Sequence, residues 1–207
     1  MANKSGSIYG LTTLSPITDD PKSEVSHNLA LRTLLAKMPR HRHSPFAKLS
    51  STHFARLVVM DDAIYVGMPA CEEHLGSKYL IFESNFDGDL DSYLERMARE
   101  IPEFVNAVWT HCEGFPGTTN IAAFKSYMRA CQVETTFFFA DVNDKTAGQT
   151  LSALQTQSAV TAFIVKYQGA PPEKLQAAFA QFLAELNQAP PPDPASTLGQ
   201  EFGDELL

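Results

Sequence analysis

The punctuation Asp87-Gly88-Asp89 constrains this chain more than any other feature, because the apolar period changes there from that of a strand to that of a helix. Before it, residues 78–86 (KYLIFESNF) set Leu80, Phe82 and Ser84 against Tyr79, Ile81, Glu83 and Asn85, the alternation of a strand. After it, Leu90, Tyr93, Leu94, Met97 and Ile101 fall on one helical stripe, with aspartate placed to cap the first turn. A strand that runs into an amphipathic helix calls for a sheet with helices packed on it.

Further elements follow from the same two periods. Residues 52–60 (THFARLVVM) read as a strand, with Arg56 sharing a face with Phe54, Val58 and Met60. Residues 103–112, rich in apolar side chains, read as a third strand, and 135–142 (TTFFFADV) as a fourth, buried on both faces. Thr118 or Thr119 is expected to cap a helix carrying Ile121, Phe124, Met128 and Cys131. Leu31, Leu34, Leu35 and Met38 predict a helix that starts near Asp20-Pro21 and ends near Pro39. Residues 146–157 read as helix, and 159–167 as its continuation or a fifth strand, with helix preferred. Pro171-Pro172 opens a last helix with Leu175, Phe179, Phe182, Leu183 and Leu186 on its inner face. The first twenty residues are polar and turn-rich, without a period.

The expected fold is α+β: a mixed four- to five-stranded sheet with helices mainly on one face, near the ferredoxin-like class, with extra N- and C-terminal helices. The alternative is a mixed α/β sheet. Residues 1–51 read as a helical, basic arm, 52–187 as the α+β domain, and 188–207 as a disordered, acidic, Pro-rich tail.

Charge follows those boundaries. The net −8 divides into +5 over residues 1–60, −9 over 61–187 and −4 over 188–207. No carboxylate lies between Val25 and Met60, where Arg32, Lys37, Arg40, Arg42, Lys48 and Arg56 stand, with His41, His43 and His53 among them. That window suits an anionic ligand, or docking on the acidic body of the same protein. The overall balance argues against nucleic acid as a partner. No apolar run reaches the length of a membrane span, and the first ten residues lack the apolar core of a secretory signal. With three cysteines, too few for a disulfide framework, a reducing cytoplasmic setting is expected.

Candidate chemistry gathers at a few places. Arg56 and Glu83 sit in apolar surroundings on strands that can pair, so they either form a structural ion pair or line a ligand cleft with Asn85 and His111. Cys71 and His74 give a C-x-x-H step that His111 and Cys112 could complete as a zinc set. Adjacent strand residues point to opposite faces, which counts against His111 and Cys112 acting together, as ligands or as a nucleophile with its base. The loop GFPGTT at 114–119 could offer backbone N–H groups to an anion, though no lysine follows as in a P-loop. Asp87-Gly88-Asp89-Leu90-Asp91 opens like a calcium loop, but Ser92 and Ala98 stand where its glycine and glutamate belong. The R-H-R-H step at 40–43 could clamp a metal or an anion.

FESNFDG at 82–88 and WTHCEGFP at 109–116 resemble a family of uncharacterised bacterial proteins. That family carries F-x-S-N-[FY]-D-G, a helix, and a strand ending in G-[FY]-P. The resemblance runs from about His53 to about Asp144 and implies that this stretch is one unit; the family carries no assigned reaction to transfer. At the level of fold the chain is also similar to the dimeric α+β barrels, in which two ferredoxin-like sheets face each other and some members hold haem. The expected role is a small-molecule-binding or protein-interaction module, homodimeric through its sheet face. The alternative is a haem- or metal-dependent oxidoreductase with His111 as ligand and Arg56 over the site.

Overall fold

Paired in register, the two nine-residue runs read from the sequence make half of a sheet. The computed structural model describes residues 3–40, 43–63, 67, 74–141 and 144–191. Strand β1 (Lys4–Ser5) turns into β2 (Ile8–Pro16), and helix α1 (His27–Ala36) leads through a 3-10 turn at Pro45–Lys48 to β3 (Thr52–Met60) and β4 (Tyr79–Asp87). Five helices follow: α2 (Leu90–Glu100), α3 (Pro102–Trp109), α4 (Ile121–Ala130), α5 (Ala147–Tyr167) and α6 (Pro172–Gln188). The strand order is β1-β2-β4-β3, and every pair is antiparallel, so the sheet is not mixed.

Alternation sorts the sheet into two faces. Leu80, Phe82, Ser84 and Phe86 of β4 are fully buried, with Leu11, Thr13 and Ser15 of β2 beside them. Against this face pack Leu90, Tyr93, Leu94 and Met97 of α2, Val105, Val108 and Trp109 of α3, Phe124 and Met128 of α4, and Leu31 of α1. Phe86 and Tyr93 stack with centroids 3.7 Å apart, and Trp109 meets Phe82 edge-on at 5.3 Å. The Tyr93 hydroxyl lies 2.8 Å from Ser84 Oγ and 3.2 Å from Thr52 Oγ1, so these three hydroxyls satisfy each other. Asp89 caps α2, accepting from Ser92 N at 2.9 Å, and these bonds hold its carboxyl below the usual range.

Several expectations from sequence are overturned. Residues 102–109 are helix, not strand: Pro102 suits a first helical position, and Phe104/Val108 and Val105/Trp109 repeat at four-residue spacing on one buried face. Residues 135–141 form no strand and are not buried on both faces, since Phe137 and Phe139 are 82% and 70% exposed. Phe138 instead lies over Gly10, so closely that a Cβ there would meet its ring at 3.0 Å. The N-terminal stretch is not an arm: β2 lies inside the sheet, between β1 and β4. Its period was hidden because Thr13 and Ser15 occupy inward positions that normally carry apolar side chains. Helix α1 begins at His27 rather than near Asp20, where Ser26 caps it. Residues 159–167 continue α5.

Past Gly10 the second edge of β2 is covered by two short passes of chain. Leu14 N donates to Cys131 O (2.8 Å) and Val133 N to Thr12 O (2.9 Å); Thr18 N donates to His111 O and Glu113 N to Pro16 O, both at 2.9 Å. Both passes run antiparallel to β2. Helices α5 and α6 form a hairpin held by Phe163 against Phe179 and Phe182, and neither helix has a fully buried residue. Its first amide, Ala147 N, donates to Asp87 Oδ2 at 2.7 Å, tying the hairpin to the end of β4. No helix among the described residues is long and apolar enough to cross a membrane. The expected tail lies, from residue 192, outside the described residues.

Candidate functional site

The face of the sheet away from α2, α3 and α4 holds three of the residues singled out from sequence. Arg56 and Glu83 are register partners across β3 and β4, and Asn85 is the next residue of β4 on that face, opposite Phe54. Arg56 Nε donates to Glu83 Oε2 at 2.7 Å, and its Nη2 reaches the same oxygen. The guanidinium remains 65% exposed. The pair therefore neutralises itself in a wet setting, with Thr12 as the register partner of Glu83 on its other side. Around it are Phe54 and Val58, 56% and 41% exposed, and the half-buried Leu14, Tyr79 and Ile81.

His111 does not join this group. It follows α3 at the opposite edge of the sheet, past β2, whereas Arg56 is on the edge strand β3. The cleft of Arg56, Glu83, Asn85 and His111 is thus reduced to its first three members. Nor are the described members of the zinc set, His74, His111 and Cys112, brought together as a metal site. Cys112 is buried opposite Ile17, while His74 bonds through Nδ1 to Asp62 Oδ2 at 2.7 Å. That bond and the amides of Leu75 and Ala63 hold Asp62 down to about 2. Cys71, like His41 and Arg42 of the R-H-R-H step, lies outside the described residues. Among the described residues no three of His, Cys, Asp and Glu converge as a metal cage.

The loops behave as connections. Gly114 and Gly117 take positive φ (+70° and +78°), and Asn106 closes the turn: its Oδ1 accepts from Thr118 N (3.1 Å) and its Nδ2 donates to Thr118 Oγ1 (2.8 Å). The cap of α4 is Asn120, not either threonine. Asp91 takes Lys125 (3.3 Å) and Arg129 (2.8 Å), whose bonds lower its pKa; this network lines a groove of about 560 Å³ between α2 and α4. A smaller groove of about 240 Å³ lies between α5 and α6.

Two groupings had no signal in the sequence because they join distant segments. His27, the first residue of α1, sets its Nδ1 3.0 Å from Nδ1 of His111. Burial first, and then the charge of His27, lower the His111 pKa. Beside Ser15 of β2, Tyr127 meets Cys112 and Cys131. Burial pushes the Cys112 thiol up to about 12 and raises the Tyr127 phenol as well. Cys112 is thus held as the thiol, and its burial sets it among structural cysteines. No family model matches the chain, no curated protein matches it, and no solved structure matches it.

Proposed function

We propose that the chain is a protein-interaction module whose partner is a second copy of itself, bound sheet face to sheet face. The observation that carries this reading is the face of the sheet away from the helices, where, among the described residues, Phe54 and Val58 stand open to water on either side of a self-neutralised Arg56–Glu83 pair. An apolar patch without net charge does not repel its own copy, and a two-fold axis would present the same patch from both sides. Phe137 and Phe139, beside the Phe138 that lies on Gly10, extend the apolar surface.

The order of connections supports the same reading. β2, α1, β3, β4 and α2 follow the sequence of a ferredoxin-like β-α-β-β-α-β unit, with β4 between β2 and β3. The antiparallel passes at 111–113 and 131–133 stand where the last strand of such a unit runs. Sheets of this kind leave one face without helices, which is the face that pairs in the dimeric α+β barrels. Interaction fits better than small-molecule binding, because the two grooves described between helices are open and the larger of them is lined by mutually paired charges.

The test is sedimentation of the full chain and of a Phe54→Asp/Val58→Asp variant over a range of concentration. A dimeric wild type and a monomeric, equally folded variant are expected. A wild type that is monomeric throughout, or a variant that dimerises as well as the wild type, overturns the proposal.

A further inference from the structure

The α5–α6 hairpin has little core of its own. Its helices, of 21 and 17 residues, hold each other through Phe163 against Phe179 and Phe182, and neither buries a residue fully. Charged side chains are depleted where a helix meets a partner, and α5 carries one, Lys166, in its whole length. Lys166 and Glu185 line the groove on one side of the hairpin, while Glu173 and Lys174 stand in the first turn of α6. Turned away from that groove are Val160 and Ile164, at i and i+4 of α5, and Leu175, Phe179 and Leu183, at i, i+4 and i+8 of α6. All five are exposed.

The hairpin leaves the body on the side of the open sheet face. Gly10 is the register partner of Asn85, so both belong to that face, and Phe138 lies on Gly10 there. The chain then bonds to Ser5 through Ala140 N and to Asp87, at the end of β4, through Ala147 N, where α5 begins. Area shows what the hairpin can add to a dimer. The three long strands present a face of about 14 Å by about 30 Å, which gives about 850 Å² for a pair of copies. A specific dimer buries about 1,200–2,000 Å², so sheet against sheet alone falls short. The hairpin face, about 26 Å long and about 20 Å wide, brings the pair to about 1,900 Å². The charges of the two helices cancel and the apolar stripe carries none, so like charge does not oppose an identical face.

We propose that in the face-to-face dimer the two hairpins close on each other as a four-helix bundle, with Val160, Ile164, Phe179 and Leu183 of one copy against the same residues of the other. This rests on the sheet-face pairing proposed above and names a second, separate element that completes it.

Sedimentation of the full chain and of an Ile164→Glu/Leu183→Glu variant, over a range of concentration, tests it. The dissociation constant of the dimer is expected to rise about tenfold or more in that variant. It is expected to stay at the wild-type value in Ser158→Glu/Ala184→Glu, which adds the same charge at exposed positions on the outer sides of the two helices. Hydrogen exchange of the wild type, below and above its dissociation constant, reads the contact without any variant: amides 160–164 and 179–183 are expected to slow on dimerisation. A wild type that is monomeric throughout overturns the sheet-face pairing and this proposal with it. Three results overturn this proposal alone, given a wild-type dimer: an affinity unchanged in Ile164→Glu/Leu183→Glu, an equal loss in Ser158→Glu/Ala184→Glu, or hairpin amides that exchange alike at both concentrations.

Discussion

At the scale of single residues, pairing decides what each charge contributes. Arg56 and Glu83 meet because β3 and β4 pair in register, but the guanidinium is mostly in water, so Arg56→Ala is expected to cost no more than about 1 kcal/mol in urea unfolding. Tyr93 is different: its hydroxyl joins Ser84 and Thr52 at the core, so Tyr93→Phe removes two hydrogen bonds, leaves Ser84 only its bond to Phe54 O, and is expected to cost about 1–2 kcal/mol. His111 gives stability a pH dependence. Its folded pKa is below 6.5, chiefly through burial, so the unfolded chain binds a proton that the folded chain refuses. Its contribution is whole above about pH 6.5 and is lost as pH falls through that value towards the lower folded one. The melting temperature is expected to fall more steeply from pH 7.5 to 5.5 in wild type than in His111→Gln; equal slopes would contradict the assignment.

At the scale of elements, local signals located those pieces whose burial follows their own period. β3, β4 and α2 were legible because Leu80, Phe82 and Phe86, then Leu90, Leu94 and Met97, all turn to one core. Asp89→Ala, which removes the cap of α2, is expected to cost about 1 kcal/mol by thermal unfolding. Where tertiary context overrode composition, the sequence misled. The FFF run at 137–139 has strand composition, yet Asn3 Oδ1 takes Thr135 N and Ser5 Oγ takes Ala140 N, so the segment crosses the N-terminal hairpin without joining the sheet. A Cβ at Gly10 collides with Phe138, so Gly10→Val is expected to loosen this segment, read as faster hydrogen exchange at Ala140. Retained protection there would show that Phe138 does not hold the crossing. For the candidate site, the Arg56–Glu83–Asn85 group was visible from strand alternation alone. The His27–His111 meeting was not, because it depends on how α1 lies against the end of α3.

At the scale of the whole molecule, one sheet face is fully used and the other is not. Three helices and α1 bury the first, while Phe54, Val58, Phe137 and Phe139 remain open on or beside the second. The α5–α6 hairpin adds Ile164 and Val165, 59% and 70% exposed, as further apolar surface. Burying such area drives association at about 25 cal/mol per Å², less the cost of ordering the partners. The decisive quantity is therefore the mass of the full-length chain in dilute solution, measured by light scattering behind size exclusion. Pairing through the open face requires twice the 22.8 kDa of one chain at micromolar concentration, and a mass of 22.8 kDa at every concentration would contradict it.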